Sequence, residues 1–220
     1  MNNRKSFVFL VLAGFFVTNA ILGEVIGGKL INVHLGPLGD FTMSIGILLW
    51  PVVFLTTDLI NEFYGKEGVK RLSLITSALI LYAFVVLYTG MNIPAVNFSP
   101  VQDEEFNKVF GQSNWIILGS IIAFLVSQLT DAFVFWVLKK KTGGKMIWLR
   151  ATGSTAVSQL IDTFIVAGIA FYLPGKITFE NYMKLSFTGY SVKLILAVVL
   201  TPLIYLGHGI VSSFLKKQEL

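Results

Sequence analysis

Six long apolar stretches, separated by short charged segments, restrict what this chain can fold into. They cover residues 7–26, 41–60, 72–91, 115–138, 151–173 and 185–214. Each is long enough for a helix to cross the hydrocarbon core of a bilayer, which takes about 20 residues. Only 13% of the 220 residues are charged, against about 25% in soluble domains. We therefore predict an all-α integral membrane protein with six transmembrane helices, in a single domain over residues 1–220.

The basic residues predict the orientation of these helices. If the chain alternates across the membrane, most Lys and Arg residues fall on one side, and the positive-inside rule makes that side cytoplasmic. These residues are Arg4, Lys5, Lys66, Lys70, Arg71, Lys139, Lys140, Lys141, Lys145, Arg150, Lys216 and Lys217. Both termini are then cytoplasmic, and the acidic loop 92–114 faces outward. We interpret the first stretch as a retained helix, because it lacks the small-residue cleavage site of a signal peptide.

Composition also excludes several kinds of chemistry. The chain has no cysteine and two histidines, which rules out thiol nucleophiles and iron–sulfur ligation and leaves few ligands for a metal. An intramembrane protease or lipid transferase would need a nucleophile–base pair or metal ligands. We expect no enzymatic activity, no cofactor and no metal. The net charge of +5 lies in short clusters between the apolar stretches, so we expect no nucleic-acid partner.

Two segments inside the fourth and fifth stretches nearly repeat each other. They read SQLTDAF at residues 127–133 and SQLIDTF at residues 158–164. In each copy a Gln and an Asp are three residues apart, so they share one face of a helix. Because successive helices run antiparallel, the pair could reflect a twofold axis in the membrane plane, as in transporters built from inverted repeats. Chance similarity over seven residues is the alternative.

Ionisable side chains within the apolar stretches indicate a function, because placing a charge in hydrocarbon is expensive. A lysine as deep as Lys193 cannot easily reach water, so it needs a carboxylate or a ligand as partner. We predict a polar pocket near the middle of the membrane that binds a small molecule. Its candidate residues are Asp131, Asp162, Lys193, Gln128, Gln159 and Asn19. The alternative is a structural Lys–Asp pair that locks the helices together.

The donors and acceptors of this pocket fit a planar polar heterocycle. An aspartate can accept two parallel hydrogen bonds from neighbouring N–H groups, and a glutamine can pair with a ring carbonyl or ring nitrogen. An amino acid or a polyamine would fit the same residue types. The residues alone do not choose among these ligands.

Further acids lie near the ends of the first two apolar stretches. Asp58 and Glu62 are four residues apart, on one face of a helix. For Asp58 we weigh a role in gating or ion coupling equally against a solvated helix end. For Glu62 we favour a solvated acid paired with the basic residues that directly follow it. Glu24 and Lys29 read as a surface ion pair.

The chain resembles the YhhQ-type queuosine precursor transporters, also called the vitamin uptake transporter family. The likeness extends over nearly the whole chain. It rests on P-x-x-F-L-x-T-D-L with a following glycine at residues 51–65, the Asp of the fourth helix, S-x-x-x-D in the fifth, and Y-x-x-K in the sixth. The residues that match the family's polar intramembrane positions are Asp58, Asp131, Asp162 and Lys193. The two glutamines are not part of the resemblance.

The resemblance implies uptake of 7-cyano- or 7-aminomethyl-7-deazaguanine, intermediates in making the queuosine nucleoside of tRNA, across a bacterial inner or plasma membrane. We expect Asp162 or Asp131 to accept the ring N–H and the exocyclic amine. Gln128 and Gln159 would bond the carbonyl and the ring nitrogen, and Lys193 would neutralise the surplus carboxylate. The expected partners are this small molecule and the lipid bilayer, and a homodimer is left open.

Two other classes of protein are consistent with a chain of this size. One is the substrate-binding subunit of an energy-coupling-factor vitamin importer, which docks on ATPase subunits through small residues of its first helix. The A-x-x-x-A pattern that such docking would use is missing from the first apolar stretch. The other is a structural or channel-like helical protein, which would leave the intramembrane charges without a role.

Overall fold

The computed structural model describes residues 3–34, 40–112 and 114–216, and most of them are helical. The elements, in chain order, are α1 (Asn3–Val25), β1 (Leu30–His34), β2 (Asp40–Ser44), a 3-10 turn (Ile45–Leu48), α2 (Trp50–Met91), α3 (Asp103–Phe110), α4 (Asn114–Lys141), α5 (Ile147–Ala167), a π-helical turn (Gly168–Tyr172), α6 (Phe179–Val199) and α7 (Thr201–Lys216). Five helical segments are long and apolar enough to cross a membrane. The predicted helical membrane fold is confirmed at this level.

The second apolar stretch begins differently from the prediction. Its first residues form strand β2, which pairs antiparallel with β1, and helix α2 begins only at Trp50. The Ser44 hydroxyl donates to the carbonyl oxygen of Gly27 at 2.8 Å and so ties the hairpin to the chain that follows α1. Pro51, in the first turn of α2, favours a helix start at that point. Strand and helix residues can be equally apolar, so hydropathy alone placed this boundary wrongly.

Helix α2 folds back on itself at Gly65. The backbone there is not helical, with φ 73° and ψ 177°. A Cβ on Gly68 would lie 3.6 Å from Cγ2 of Ile60, whereas eight residues of straight helix span about 12 Å. The helix therefore consists of a first arm, residues 50–64, and a second arm, residues 66–91.

Both arms run beside α1. At the start of the first arm, a Cβ on Gly23 of α1 would lie 4.0 Å from Cβ of Leu49. At its end, the Tyr64 hydroxyl donates to the carbonyl oxygen of Lys5, at the opposite end of α1, at 2.6 Å. The chain beyond the second arm returns to the first end, where Gln112 donates to the carbonyl oxygen of Glu24 at 2.8 Å. The predicted stretches 41–60 and 72–91 thus correspond to these two antiparallel arms.

Replacing Gly65 by alanine should destabilise this bend. Positive φ with ψ near 180° is a region that essentially only glycine occupies, and strain there costs about 1–3 kcal/mol. We expect the melting temperature of Gly65→Ala in detergent to fall by roughly 2–12 °C. Gly14→Ala is the control, because a Cβ at Gly14 meets no atom within 4 Å. Equal melting temperatures for the two variants would contradict the strain at Gly65.

The predicted last stretch, 185–214, is two helices. Helix α6 ends at Val199 and α7 begins at Thr201. Pro202 follows in the first turn of α7, where α7 needs no N–H from it, while the same missing N–H prevents α6 from continuing. At the far end of α7, Arg4 donates to the carbonyl oxygen of Phe214 at 3.3 Å. The first and last described helices therefore meet at one end of the bundle.

The bundle is polar inside and apolar outside. Large apolar side chains such as Leu10 and Tyr82 are 68% and 65% exposed. Polar side chains are buried between the helices, and they include Thr57, Asp58, Asn61, Ser127, Gln128, Asp131, Arg150, Ser154, Thr155, Ser158, Gln159 and Asp162. An exposed apolar surface of this extent suits lipid surroundings, and the buried polar groups need partners inside the protein.

Candidate functional site

The two repeated segments contact each other reciprocally. Ser127 of α4 donates to Oδ1 of Asp162 on α5 at 3.2 Å. Ser158 of α5 donates to Oδ1 of Asp131 on α4 at 3.1 Å. The serine of each copy thus bonds to the aspartate of the other. Two antiparallel helices related by a local twofold axis in the membrane plane would produce this pairing.

The second carboxylate oxygen of Asp162 forms an ion pair with Lys193. Nζ of Lys193 on α6 lies 2.6 Å from Oδ2, and the two side chains are 16% and 6% exposed. The Trp50 ring lies with its centre 5.8 Å from Nζ and stacks on Phe54. The lysine therefore has the carboxylate partner that its depth predicts. The pair joins α5 to α6 beside the start of α2.

The sequence analysis assigned Glu24 to a surface ion pair with Lys29 and left it out of the site. The structure turns its half-buried side chain inward, within hydrogen-bonding reach of Ser120 and close enough to Asp162 and Lys193 to interact with both charges. The signal was its position inside the last turn of α1, which ends at Val25. The group around Lys193 therefore has two carboxylates for one cation.

Asp58 and Asp131 lie on facing turns of α2 and α4. The Thr57 hydroxyl donates to Oε1 of Gln128 at 3.3 Å, and Asn61 donates to the backbone oxygen of the residue after Asp131 at 3.2 Å. These two hydrogen bonds hold α2 against α4 on either side of Asp58 and Asp131. The two carboxylates are close enough to repel each other. Asp58 and Asp131 are 6% and 5% exposed. A second concentration of negative charge therefore lies apart from Lys193.

Three buried oxygens in this region accept no hydrogen bond from any residue that the structure describes. They are Oδ1 of Asp58, Oδ2 of Asp131 and Oε1 of Gln159. Leaving such an atom unpaired costs about 1–3 kcal/mol, and more when it is charged. Gln159 lies between Thr155 and Asp162 on one stripe of α5, at the spacing of neighbouring helical turns. The unpaired oxygens are therefore available to a ligand or to water.

Other candidate residues use their polar groups within the protein. Asn19 is half-buried, and its amide donates to the carbonyl oxygen of Phe15 on its own helix at 2.8 Å. Gln128 already accepts the hydrogen bond from Thr57. Asp162 and Lys193 bond to each other, whereas Asp131 and Gln159 each keep one buried oxygen without a hydrogen bond.

Glu62 is the hub of an ion-pair cluster at the end of the bundle where α1 begins. Its carboxylate oxygens lie 2.9 Å from Arg150 Nη2 and 2.9 Å from Lys139 Nζ, and Nε2 of His208 is 3.8 Å away. The interpretation that Glu62 is a solvated acid paired with the residues directly after it was wrong. Its partners come from α4, α5 and α7, and the Arg150 side chain is only 2% exposed.

A small cavity lies beside Asp58. Its volume is about 20 Å³, roughly the room of one water molecule. The lining residues come from α2, α5, the end of α6 and the start of α7, and are Phe54, Leu55, Asp58, Ala151, Thr152, Thr155, Ala197, Leu200, Thr201 and Ile204. Within the described residues, no group of three His, Asp or Glu side chains is arranged to hold a metal ion.

A family model described as "Putative vitamin uptake transporter" matches residues 44–207. A Bacillus subtilis protein named "Probable queuosine precursor transporter" is 31% identical over 178 residues, which cover 80% of this chain and 76% of that protein. A Haemophilus influenzae protein of the same name is 28% identical over 175 residues, covering 76% of this chain and 69% of that protein. No solved structure matches. The chain belongs to the vitamin uptake transporter family and is a multi-pass membrane transporter rather than an enzyme.

Proposed function

We propose that this transporter imports a 7-deazaguanine precursor of queuosine, either 7-cyano- or 7-aminomethyl-7-deazaguanine. The names of the two relatives support this cargo, because both are called probable queuosine precursor transporters. The buried carboxylates and amides support it independently, since they suit the donors and acceptors of a planar heterocycle. The binding site lies between α4, α5 and α6.

The observation that carries this proposal is the pair of unsatisfied oxygens on facing helices, Oδ2 of Asp131 and Oε1 of Gln159. A deazaguanine presents a ring N–H next to an exocyclic amine, and a carboxylate can accept both. Asp131 keeps Oδ2 without a hydrogen bond while Ser158 donates to its Oδ1, whereas both oxygens of Asp162 already accept, from Ser127 and Lys193. The Gln159 oxygen then accepts another N–H of the base, and Lys193 neutralises the Asp162 carboxylate.

The same proposal includes six crossings with both termini in the cytoplasm. Each arm of α2 serves as one crossing, because the two arms run in opposite directions beside α1 and the first is preceded by the 3-10 turn at Ile45–Leu48. Basic side chains collect at the end where α1 begins: Lys66 and Lys140 lie 4.5 and 4.0 Å from the centre of the Trp136 ring. The positive-inside rule makes that end cytoplasmic.

The described conformation is closed around its polar groups. A cavity of about 20 Å³ is far smaller than a purine-like base, so the base enters only after helices separate. Two breaks allow such movement, one at Gly65 within α2 and one at Leu200 between α6 and α7. Broken helices next to a central site are common in transporters that work by alternating access.

Uptake into proteoliposomes tests the proposed cargo. The purified chain alone should take up labelled 7-aminomethyl-7-deazaguanine saturably, at least about tenfold above protein-free liposomes. Unlabelled 7-cyano-7-deazaguanine and guanine should compete because they share the recognised edge, whereas uracil should not. Absence of uptake by folded protein would contradict the proposal. Uptake that appears only with added ATPase subunits would instead favour an energy-coupling-factor subunit.

A further inference from the structure

The cavity beside Asp58 lies where α6 stops and α7 starts. Leu200 and Thr201, which form this break, line it together with Asp58 and Thr155. Across the cavity the hydroxyls of Thr152 and Thr201 are 2.9 Å apart and bonded to each other. The polar lining consists of oxygen atoms from one carboxylate and three hydroxyls. No Lys, Arg or His side chain lines this cavity.

The charge around this cavity is negative. Asp58 is 6% exposed and its Oδ1 lacks a hydrogen-bond donor, while Asp131 on the facing turn repels it. Within the described part of the chain, neither carboxylate forms an ion pair, and the nearby Arg150 is paired with Glu62. A buried carboxylate without a counter-charge is strongly unfavourable. A proton or a bound cation on the carboxylate therefore stabilises the site.

The end of α6 adds further negative potential. The C-terminus of a helix carries about half a negative charge. Pro202 has no N–H to give to the carbonyl of Val198, and the N–H of Leu203 bonds to Leu200 instead of Val199 at 2.9 Å. The carbonyl of Val198 accepts from the N–H of Leu200 instead, and neither Val198 nor Val199 lines the cavity. In broken transporter helices, such half-helix ends coordinate Na⁺.

We propose that this cavity is a Na⁺ site, with Oδ1 of Asp58 and the hydroxyls of the lining threonines, above all Thr155, as ligands. Its size admits one small ion and no organic molecule. Four side chains with oxygen atoms line the cavity beside its apolar residues; several oxygens together suit Na⁺, whereas a proton needs only the carboxylate. Thr155 also faces Asp131, so the ion lies next to the acid that we assign to the base.

The ion site itself does not depend on the cargo. The consequence of ion binding for transport rests on the proposed function. A bound Na⁺ links the first arm of α2 to α5 and to the α6–α7 break. Binding of Na⁺ therefore favours the conformation that holds the base. Sodium moving down its gradient would then drive uptake.

Direct binding of radioactive ²²Na⁺ to the purified full chain in detergent, without any organic substrate, tests the site. Wild type should bind one Na⁺ per chain saturably, and K⁺ should compete poorly. Thr155→Val should raise the Kd for Na⁺ at least about tenfold, and Asp58→Asn should abolish binding. Thr163→Val is the matched control on the same helix, because the Thr163 hydroxyl bonds to the backbone of Gln159 at 2.7 Å. Its Kd should stay within about twofold of wild type.

Several outcomes would overturn this site. They are no saturable Na⁺ binding by wild type, unchanged binding in Thr155→Val, or uptake that follows a pH gradient in the absence of Na⁺. If Asp58→Asn fails to fold, Thr155→Val still decides, since it keeps the shape of the side chain. Precursor uptake without Na⁺ binding would remove the ion site and leave the proposed cargo. Na⁺ binding without precursor uptake would support the ion site and contradict the proposed cargo.

Discussion

Asp162→Asn should reduce precursor uptake at least about tenfold. The substitution removes the negative charge that lies 2.6 Å from Lys193 Nζ and leaves a buried ammonium group without its ion pair. Breaking one side of a buried pair costs about 3–5 kcal/mol. Initial rates of labelled precursor uptake in proteoliposomes, normalised to folded protein, measure the effect. Lys193→Met should lose uptake to a similar extent.

The double variant Asp162→Asn/Lys193→Met separates a functional pair from a structural one. Removing both charges relieves the unpaired lysine, so folded yield should recover towards wild type. Uptake should remain low if the pair shapes the binding site. Recovery of uptake together with yield would show that the pair only holds α5 against α6. Lys184→Met, at an exposed position on α6, is the control and should keep wild-type uptake.

Glu62→Gln should cause the largest loss of stability. Glu62 pairs with Arg150, whose side chain is 2% exposed, so the variant leaves a buried guanidinium with uncompensated charge. The expected cost is about 3–5 kcal/mol, or a fall in melting temperature of roughly 6–20 °C. Thermal unfolding in detergent, followed by intrinsic fluorescence, measures it.

Glu67→Gln is the matched control for Glu62→Gln. Glu67 lies just beyond Gly65 and is exposed, and exposed ion pairs contribute about 0–1 kcal/mol. Its melting temperature should stay within about 4 °C of wild type. If Glu62→Gln melts as Glu67→Gln does, the cluster is a set of weak surface contacts and does not hold α2, α4 and α5 together.

The sequence predicted the helical membrane fold and the main polar positions because both depend on the free energy of placing individual side chains in the membrane. Apolar length and the expense of intramembrane charge are readable without any knowledge of packing. The sequence predicts that Lys193 has a carboxylate or ligand partner, but it does not say which carboxylate. Which carboxylate it meets depends on the register between α5 and α6, and spacing along one helix does not fix that.

The errors came from elements whose identity depends on tertiary contacts. The apolar residues of strand β2 were taken as part of a helix, since hydropathy does not distinguish the two. Glu62 and Glu24 were assigned to neighbours in sequence, whereas α2 and α1 direct them to other helices. Arg150 was counted only as a topology signal, although it is the buried partner of Glu62. The order of residues along a single sequence does not show which charged side chains pair between helices that are distant in sequence.

Equilibrium binding of 7-aminomethyl-7-deazaguanine to purified protein, comparing wild type with Gln159→Leu, tests the central claim most directly. The Gln159 side-chain oxygen is buried and accepts no hydrogen bond from the described residues, so its removal breaks no internal bond of that atom. We predict that Gln159→Leu binds at least about tenfold more weakly than wild type, as loss of a hydrogen bond to the ligand requires. Gln102→Leu, in the loop before α3, should bind as wild type does. Equal affinities for wild type and Gln159→Leu, or no binding by wild type, would contradict a 7-deazaguanine site between α4 and α5.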